Sequence, residues 1–307
     1  MHICMLIEGG TTKNLSSFSG ERFFIFYKEE QLMSKIGFIG AGSMAESMIK
    51  GLLKSGIMSN EDIIVTNKTN EKRLEELQRR YGVRTDFSRS FIYEEADILV
   101  FALKPKDAES GISDVRPHLH GQLIISILAG ISIETIQHYA GEKTAVVRAM
   151  PNTSAAIQQS ATGIAVSTEV TEDQKKKTIE LFETIGHVTV LDESQLNAVT
   201  AIAGSGPAFI YHLIEGMERG ASELGMDQAT AKSLICQMIA GAANMLQSSG
   251  KEPAELRKEI TSEGGTTEAG LNTLAAYQFE EAVVDCVKTA TKRAAELNEM
   301  FSASTYK

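Results

Sequence analysis

The six residues Gly40-Ala41-Gly42-Ser43-Met44-Ala45 restrict this chain's fold more than any other stretch. They come directly after the short apolar run Ile36-Gly37-Phe38-Ile39 and open a segment with helical spacing, which makes a strand–turn–helix unit. In the pattern GxGxxA the first glycine permits a tight turn and the second lets backbone approach a pyrophosphate. The small third residue lets helix and strand pack closely, and the helix N-terminus supplies N–H donors to an anion. Ile39, Gly40, Ala41, Gly42, Ser43 and Met44 are therefore read as the phosphate-binding turn of a dinucleotide site.

The rest of the chain fits a dinucleotide-binding fold. A helix is expected from about Met44 to Ser55, closed by Gly56, then a strand at Ile63–Thr66 and a charged helix ending near Gly82. The apolar runs Ile98–Leu103, Leu123–Ile127, Ala145–Ala149 and Gly163–Ser167 alternate with helical stretches, the pattern of a parallel sheet covered on both faces. Beyond Leu191 only helices are expected, at about Ser194–Ala203, Pro207–Leu224, Asp227–Gln247, Pro253–Ile260, Glu268–Phe279 and Phe279–Phe301. Apolar residues such as Leu234, Ile235, Met238, Ile239, Ala242 and Met245 form a band too wide for one small domain to bury, which points to a homo-oligomer. The fold class is α/β: a Rossmann-type dinucleotide-binding domain, 34–190, followed by an all-α dimerisation domain, 191–307.

Residues 1–33 read differently. They have no sustained period, and Glu8 interrupts the opening apolar run too early for a signal peptide. Lys28-Glu29-Glu30 can be encoded by a purine-rich, ribosome-binding stretch just upstream of Met33, so Met33 is read as the natural start and the preceding segment as a weakly ordered extension.

With 307 residues, two domains are the first expectation. The formal charge of −10 disfavours nucleic acid and anionic membranes as partners. No apolar run approaches the ~20 residues of a membrane helix. Cys4, Cys236 and Cys286 are scattered, which fits a reducing, cytoplasmic setting. His118 and His120 lack a third ligand nearby, so no metal is expected.

The second strand decides the dinucleotide. An NAD site usually carries Asp or Glu there, whereas this chain has Thr66-Asn67-Lys68-Thr69 and no carboxylate before Glu71. Hydroxyl, amide and ammonium groups favour a 2′-phosphate, so Thr66, Asn67 and Lys68 select NADPH, with NADH as second choice.

From Met33 to about Phe301 the chain resembles the pyrroline-5-carboxylate reductase family. The resemblance rests on Gly37–Gly42, Ala102-Leu103-Lys104-Pro105, Arg148-Ala149-Met150-Pro151-Asn152-Thr153, Ser205-Gly206-Pro207-Ala208-Phe209 and Thr261-Ser262-Glu263-Gly264-Gly265-Thr266-Thr267. It implies hydride transfer from NADPH to the small cyclic imine 1-pyrroline-5-carboxylate, giving L-proline, by a homo-oligomer that is a dimer or a pentamer of dimers. It places Ala102, Leu103, Lys104 and Pro105 along the nicotinamide ribose, and Ile127, Leu128 and Ala129 beside the nicotinamide half. Lys104 is either a catalytic acid or a cation beside ribose or phosphate. Met150 and Pro151 form a wall and Asn152 a polar positioning group. The resemblance puts the Thr267 hydroxyl near the imine nitrogen. Two glycines between hydroxyl residues make an anion nest, in which Ser262 and the backbone of Gly265, Thr266 and Thr267 would hold the substrate carboxylate. A plain N-cap role for Thr267 is the alternative.

Three positions depart from the family pattern: Glu263 and Ser154 stand where proline is usual, and Ser43 where asparagine is frequent. Two rival readings stand beside the reductase. One is a low-activity dinucleotide-binding regulatory paralogue, which Glu263 keeps open. The other is a β-hydroxyacid dehydrogenase-like reductase, for which Lys232 is the only tempting catalytic lysine.

Overall fold

The computed structural model describes residues 6–8, 11–13 and 35–305. It divides into two units, Met1–Met33 and Ser34–Lys307. In the first, β1 (Leu6–Glu8) and β2 (Thr11–Lys13) pair antiparallel. The expectation of an upstream extension ending at Met33 otherwise lies outside the described residues.

In the second unit, β3 (Ile36–Ile39), β4 (Ile63–Thr66), β5 (Arg84–Thr85), β6 (Ile98–Phe101), β7 (Leu123–Ser126) and β8 (Val146–Met150) run parallel, in the spatial order β5-β4-β3-β6-β7-β8. Counted from β3 this is 3-2-1-4-5-6, the order of doubly wound dinucleotide folds. Alternate side chains of these strands enter two cores. Phe38, Val65 and Val100 face α1 (Ser43–Ser55), α2 (Glu71–Tyr81) and α6 (Glu172–Glu183); Ile39, Ile64 and Phe101 face α3 (Arg89–Glu95), α4 (Ala108–Ser113) and α5 (Ile133–Ala140).

The apolar runs led to the expectation of a parallel sheet, but the sheet is not wholly parallel. β9 (Ser160–Val166) pairs antiparallel with β8, and β10 (Gly186–Val190) pairs parallel with β9. The link between β8 and β9, residues 151–159, is shorter than the dozen or so residues a parallel crossover needs, so the chain reverses. The link between β9 and β10 contains α6 and restores a parallel pair. Neither β5 nor β10 is anticipated from sequence. β5 has two residues, and β10 is a largely exposed edge strand.

After the sheet come α7 (Leu196–Val199), a π-helical turn (Thr200–Ser205), α8 (Gly206–Glu223), α9 (Gln228–Ser249), α10 (Pro253–Glu259), α11 (Thr266–Ala276) and α12 (Phe279–Thr305). The break expected between Ala203 and Pro207 is absent, because the π-turn carries the helical backbone through Gly204-Ser205-Gly206. α12 packs on α7, the π-turn and α5; α9 packs on α8. Among the described residues, α8, α10 and α11 bury no side chain and α9 buries only Ala231 and Ile235. Leu234 is 57% exposed and Met245 55%, so much of the apolar band of α9 is left uncovered by the described residues.

Candidate active site

The strand order reverses between β3 and β6, and a cavity of about 790 Å³ opens there at the carboxyl edge of the sheet, where open α/β folds bind ligands. Gly40, Ala41, Gly42 and Ser43 form one wall; Ala102, Leu103 and Lys104 form another. The two walls are tied closely: Gly40 N–H donates to Thr66 O at 3.0 Å and Ala102 N–H to Ile39 O at 3.0 Å. Gly40 has φ +118°, and a Cβ there would lie 2.3 Å from Ala102 O, so only glycine fits. At Gly42 a Cβ would meet nothing within 4 Å. Gly42 is the N-cap of α1 and no side chain caps that terminus among the described residues, which leaves room and N–H donors for a pyrophosphate. A second cavity, of about 810 Å³, lies around Gly141, Thr144 and Ala145 at the amino edge of β8, away from this arrangement.

At the end of the cavity beyond β4, Asn67, Lys68, Thr69 and Asn70 line it, as does Arg73. Contrary to expectation, the Thr66 side chain does not reach the cavity. It is 2% exposed, and its hydroxyl has no hydrogen-bond partner among the described residues; Thr66 contributes its carbonyl to the turn instead. Sequence reading missed Arg73. Its Nε–H donates to Ala41 O at 3.0 Å, Nη1 donates to Glu76 at 2.8 Å, and Nη2 pairs with Glu46. Glu46 sits in the first turn of α1, where its charge would oppose a phosphate. Burial would raise its pKa, but hydrogen bonds from Arg73, Tyr81 and Arg80 outweigh burial and hold it below the ordinary carboxylate value. The cluster pins the glycine turn to α2 and neutralises that carboxylate. The signal available in sequence was Asn70, which caps α2 by accepting from Arg73 N–H at 3.1 Å and so fixes the arginine's place.

Farther along the edge, Lys104 is exposed and forms no ion pair among the described residues. Pro105 opens a 3₁₀ turn, Pro105–Asp107. Ile127 N–H donates to Phe101 O at 3.2 Å, which sets the start of the loop after β7. Ala129 is exposed, Ile127 is half-buried, and Leu128 and Ile39 turn their side chains into the core, so those two offer only backbone to a ligand. Met44 is half-buried on α1.

Asn152 is buried where β8 leaves the sheet, and its amide has two partners. Oδ1 accepts from Ser154 N–H at 3.1 Å, and Nδ2 donates to Ala203 O at 3.0 Å. The second bond has a local cause. In a regular α-helix Ala203 O would accept from the N–H four residues on, but residue 207 is proline and has none. Asn152 supplies the missing donor and so joins β8 to the π-turn. π-turns inside α-helices are frequent at functional sites, and nothing in the sequence signalled this one. One Nδ2 hydrogen remains for another acceptor.

The loop 261–267 makes only local hydrogen bonds among the described residues. Gly264, at φ +68°, turns the chain, and Gly265 N–H donates to Ser262 O at 3.0 Å. That donor, expected on the substrate carboxylate, is thus already engaged. Helix α11 starts at Thr266, two residues earlier than expected, with Gly265 as N-cap. Thr267 is therefore the second helical residue, not the cap, and the N-cap alternative falls. Thr266 and Thr267 present first-turn N–H groups. Glu268 reaches back to accept from Gly264 N–H at 2.8 Å. Ser262 is exposed, Thr266 exposed and Thr267 half-buried. None of these bonds reaches a strand, so the loop and the glycine turn are not brought together by hydrogen bonding. The described residues hold no group of His, Cys, Asp or Glu suited to a metal ion, and none of their helices is long and apolar enough to cross a membrane.

The fold and site together define an NAD(P)H-dependent oxidoreductase with a dinucleotide-binding α/β domain and a helical dimerisation domain. Residues 193–297 match the family model described as pyrroline-5-carboxylate reductase dimerisation, and residues 35–130 one described as NADP oxidoreductase, coenzyme F420-dependent. The chain is 54% identical over 272 residues to pyrroline-5-carboxylate reductase 2 of Bacillus subtilis, covering 89% of this chain and 98% of that one. It is 38% identical to the Methanosarcina acetivorans pyrroline-5-carboxylate reductase, over 86% of this chain and 98% of that one. A Coxiella burnetii pyrroline-5-carboxylate reductase structure superposes with a TM-score of 0.82 at 32% identity, and one from Plasmodium falciparum with NADP bound with 0.79 at 26%; each covers 86% of this chain and 98% of its own. The chain belongs to the pyrroline-5-carboxylate reductase family. The dehydrogenase-like rival is thereby set aside, and Lys232 lies exposed on α9. The dimerisation match and the open helices agree that the protein is a homo-oligomer.

Proposed function

We propose that the chain reduces 1-pyrroline-5-carboxylate to L-proline with NADPH, and that the residues of the cleft and of the loop 261–267 divide the work. The observation that carries this reading is the 54% identity over nearly the whole chain to a pyrroline-5-carboxylate reductase, combined with a glycine turn whose geometry leaves space for a pyrophosphate. Residues 34–190 form the NADPH domain and 191–307 the substrate and dimerisation domain. The turn Ile39–Met44 holds the pyrophosphate through α1 N–H groups. Asn67 and Lys68, with Thr69, favour the 2′-phosphate, since the described residues lining that end, Asn67 to Asn70 and Arg73, include no carboxylate. Ala102–Pro105 and Ile127–Ala129 flank the nicotinamide half, and Lys104 acts as a cation beside ribose or phosphate.

When bound, NADPH supplies the hydride. The chain's own groups position, orient and exclude water. The first-turn N–H groups of Thr266 and Thr267, with Ser262, hold the substrate carboxylate, and the Thr267 hydroxyl hydrogen-bonds the imine nitrogen. The free Nδ2 hydrogen of Asn152 orients the ring. The free thiols Cys236 and Cys286 support a reducing, cytoplasmic setting. Exposed apolar side chains on α8, α9 and α11 suit a dimer, with further association into a pentamer of dimers. Loss of reduced-nicotinamide absorbance on adding 1-pyrroline-5-carboxylate tests the reaction; no substrate-dependent oxidation would refute it.

A further inference from the structure

We propose that Arg148 and Glu193 are a positioning pair that fixes the loop after β7, and with it the hydride-donor geometry, without touching either reactant. The proposal rests on the functional reading that sets the nicotinamide beside Ile127–Ala129. Arg148 is the register partner of Ser126, the last residue of β7. Its side chain is only 2% exposed. Nη1 donates to Glu193 Oε1 at 2.9 Å and Nη2 to Asn298 Oδ1 at 3.3 Å, while Nε has no partner among the described residues. The same Glu193 oxygen accepts from Ile133 N–H at 2.8 Å, in the first turn of α5, where the loop after β7 ends. Asn298 in turn donates to Asn197 Oδ1 at 2.6 Å. One buried cation thus joins β8, α5, the first turns after the sheet and the last helix.

A buried ion pair is a poor way to gain stability, since apolar replacements of similar volume often serve as well or better. A planar guanidinium with two fixed partners is a good way to set direction. The loop it steadies has one end set by Ile127 N–H on Phe101 O and the other by Ile133 N–H on Glu193. Hydride transfer depends steeply on such alignment.

The decisive feature is that one oxygen takes both bonds. Gln at 193 keeps that acceptor without the charge; Ala removes it. Glu193 is 32% exposed, so neither change empties a core. In the full-length protein E193A should lower kcat by about 10–100-fold with NADPH affinity little changed, and should lower the melting temperature because it leaves the buried Arg148 cation without its carboxylate; E193Q should return kcat to within about threefold of wild type. R148K, a single-point donor, should fall between them. Amide exchange of residues 128–133 should accelerate in E193A and not in E193Q. Wild-type kcat in E193A, or E193Q as slow as E193A, overturns the proposal. Unchanged exchange in E193A overturns it without reference to turnover, so its failure is distinct from failure of the functional reading.

Discussion

Asn152→Ala gives the sharpest test of how the helical domain is held. The substitution deletes two side-chain bonds, to Ser154 N–H and to Ala203 O. Each is worth about 1 kcal/mol net, and the first is a cap of the turn Thr153–Ile157. Ala203 O has no N–H at 207 to fall back on, so its partly buried carbonyl adds an orphan penalty, and the total is about 2–3 kcal/mol. For a chain of this size that corresponds to a fall of roughly 3–6 °C in melting temperature. Pro207→Ala restores an N–H four residues from Ala203. In the double variant, Asn152→Ala with Pro207→Ala, about 1 kcal/mol should therefore be recovered relative to additivity. Denaturant unfolding of all four proteins at one protein concentration reads the coupling, concentration being fixed because the protein is oligomeric. Turnover on the same samples separates the roles. Recovery of stability without recovery of kcat/KM is expected if the remaining Nδ2 hydrogen orients substrate. An Asn152→Ala loss under about 0.5 kcal/mol, additive with Pro207→Ala, would refute the coupling.

Thr267→Ala should lower kcat/KM by roughly 10–100-fold, the worth of one bond to a charged nitrogen at about 1.5–3 kcal/mol, and leave NADPH affinity unchanged; normal turnover with reduced stability would remove Thr267 from the reaction. NADPH should bind more tightly than NADH by isothermal titration, and Lys68→Ala should narrow the difference; equal constants refute the reading of Asn67-Lys68. Light scattering should report a multiple of 33.3 kDa, and a particle of that mass alone would contradict the unpaired helical faces. The Glu95 carboxyl is held down to about 2 by hydrogen bonds from Arg84 and Lys35. A depressed pKa contributes stability in full above the ordinary value of 4.5 and loses it as pH falls through about 2. Glu95→Gln should therefore cost stability near neutrality, and its gap to wild type should close in melts taken from about pH 5 downward.

Much of this protein was legible in its residues alone. The glycine turn, the apolar strands and most helix positions obey local rules, because φ preferences and side-chain periodicity act over a few residues. The five family segments likewise carried the function. Strand direction is a different kind of fact. β9 is as apolar read backward as forward, and only the shortness of residues 151–159 turns it around. Site contacts were harder still. Gly265 N–H and the Thr66 hydroxyl looked available in sequence; the first is consumed by a turn and the second is buried. Arg73 on the glycine turn, Asn152 on Ala203, and Arg148 on Glu193 and Asn298 join residues 32, 51, 45 and 150 positions apart. Such partners depend on where the sheet, the π-turn and α12 come to rest against one another, and no local pattern encodes that. Sequence determined which chemistry the chain can perform; packing decided which groups are free to perform it.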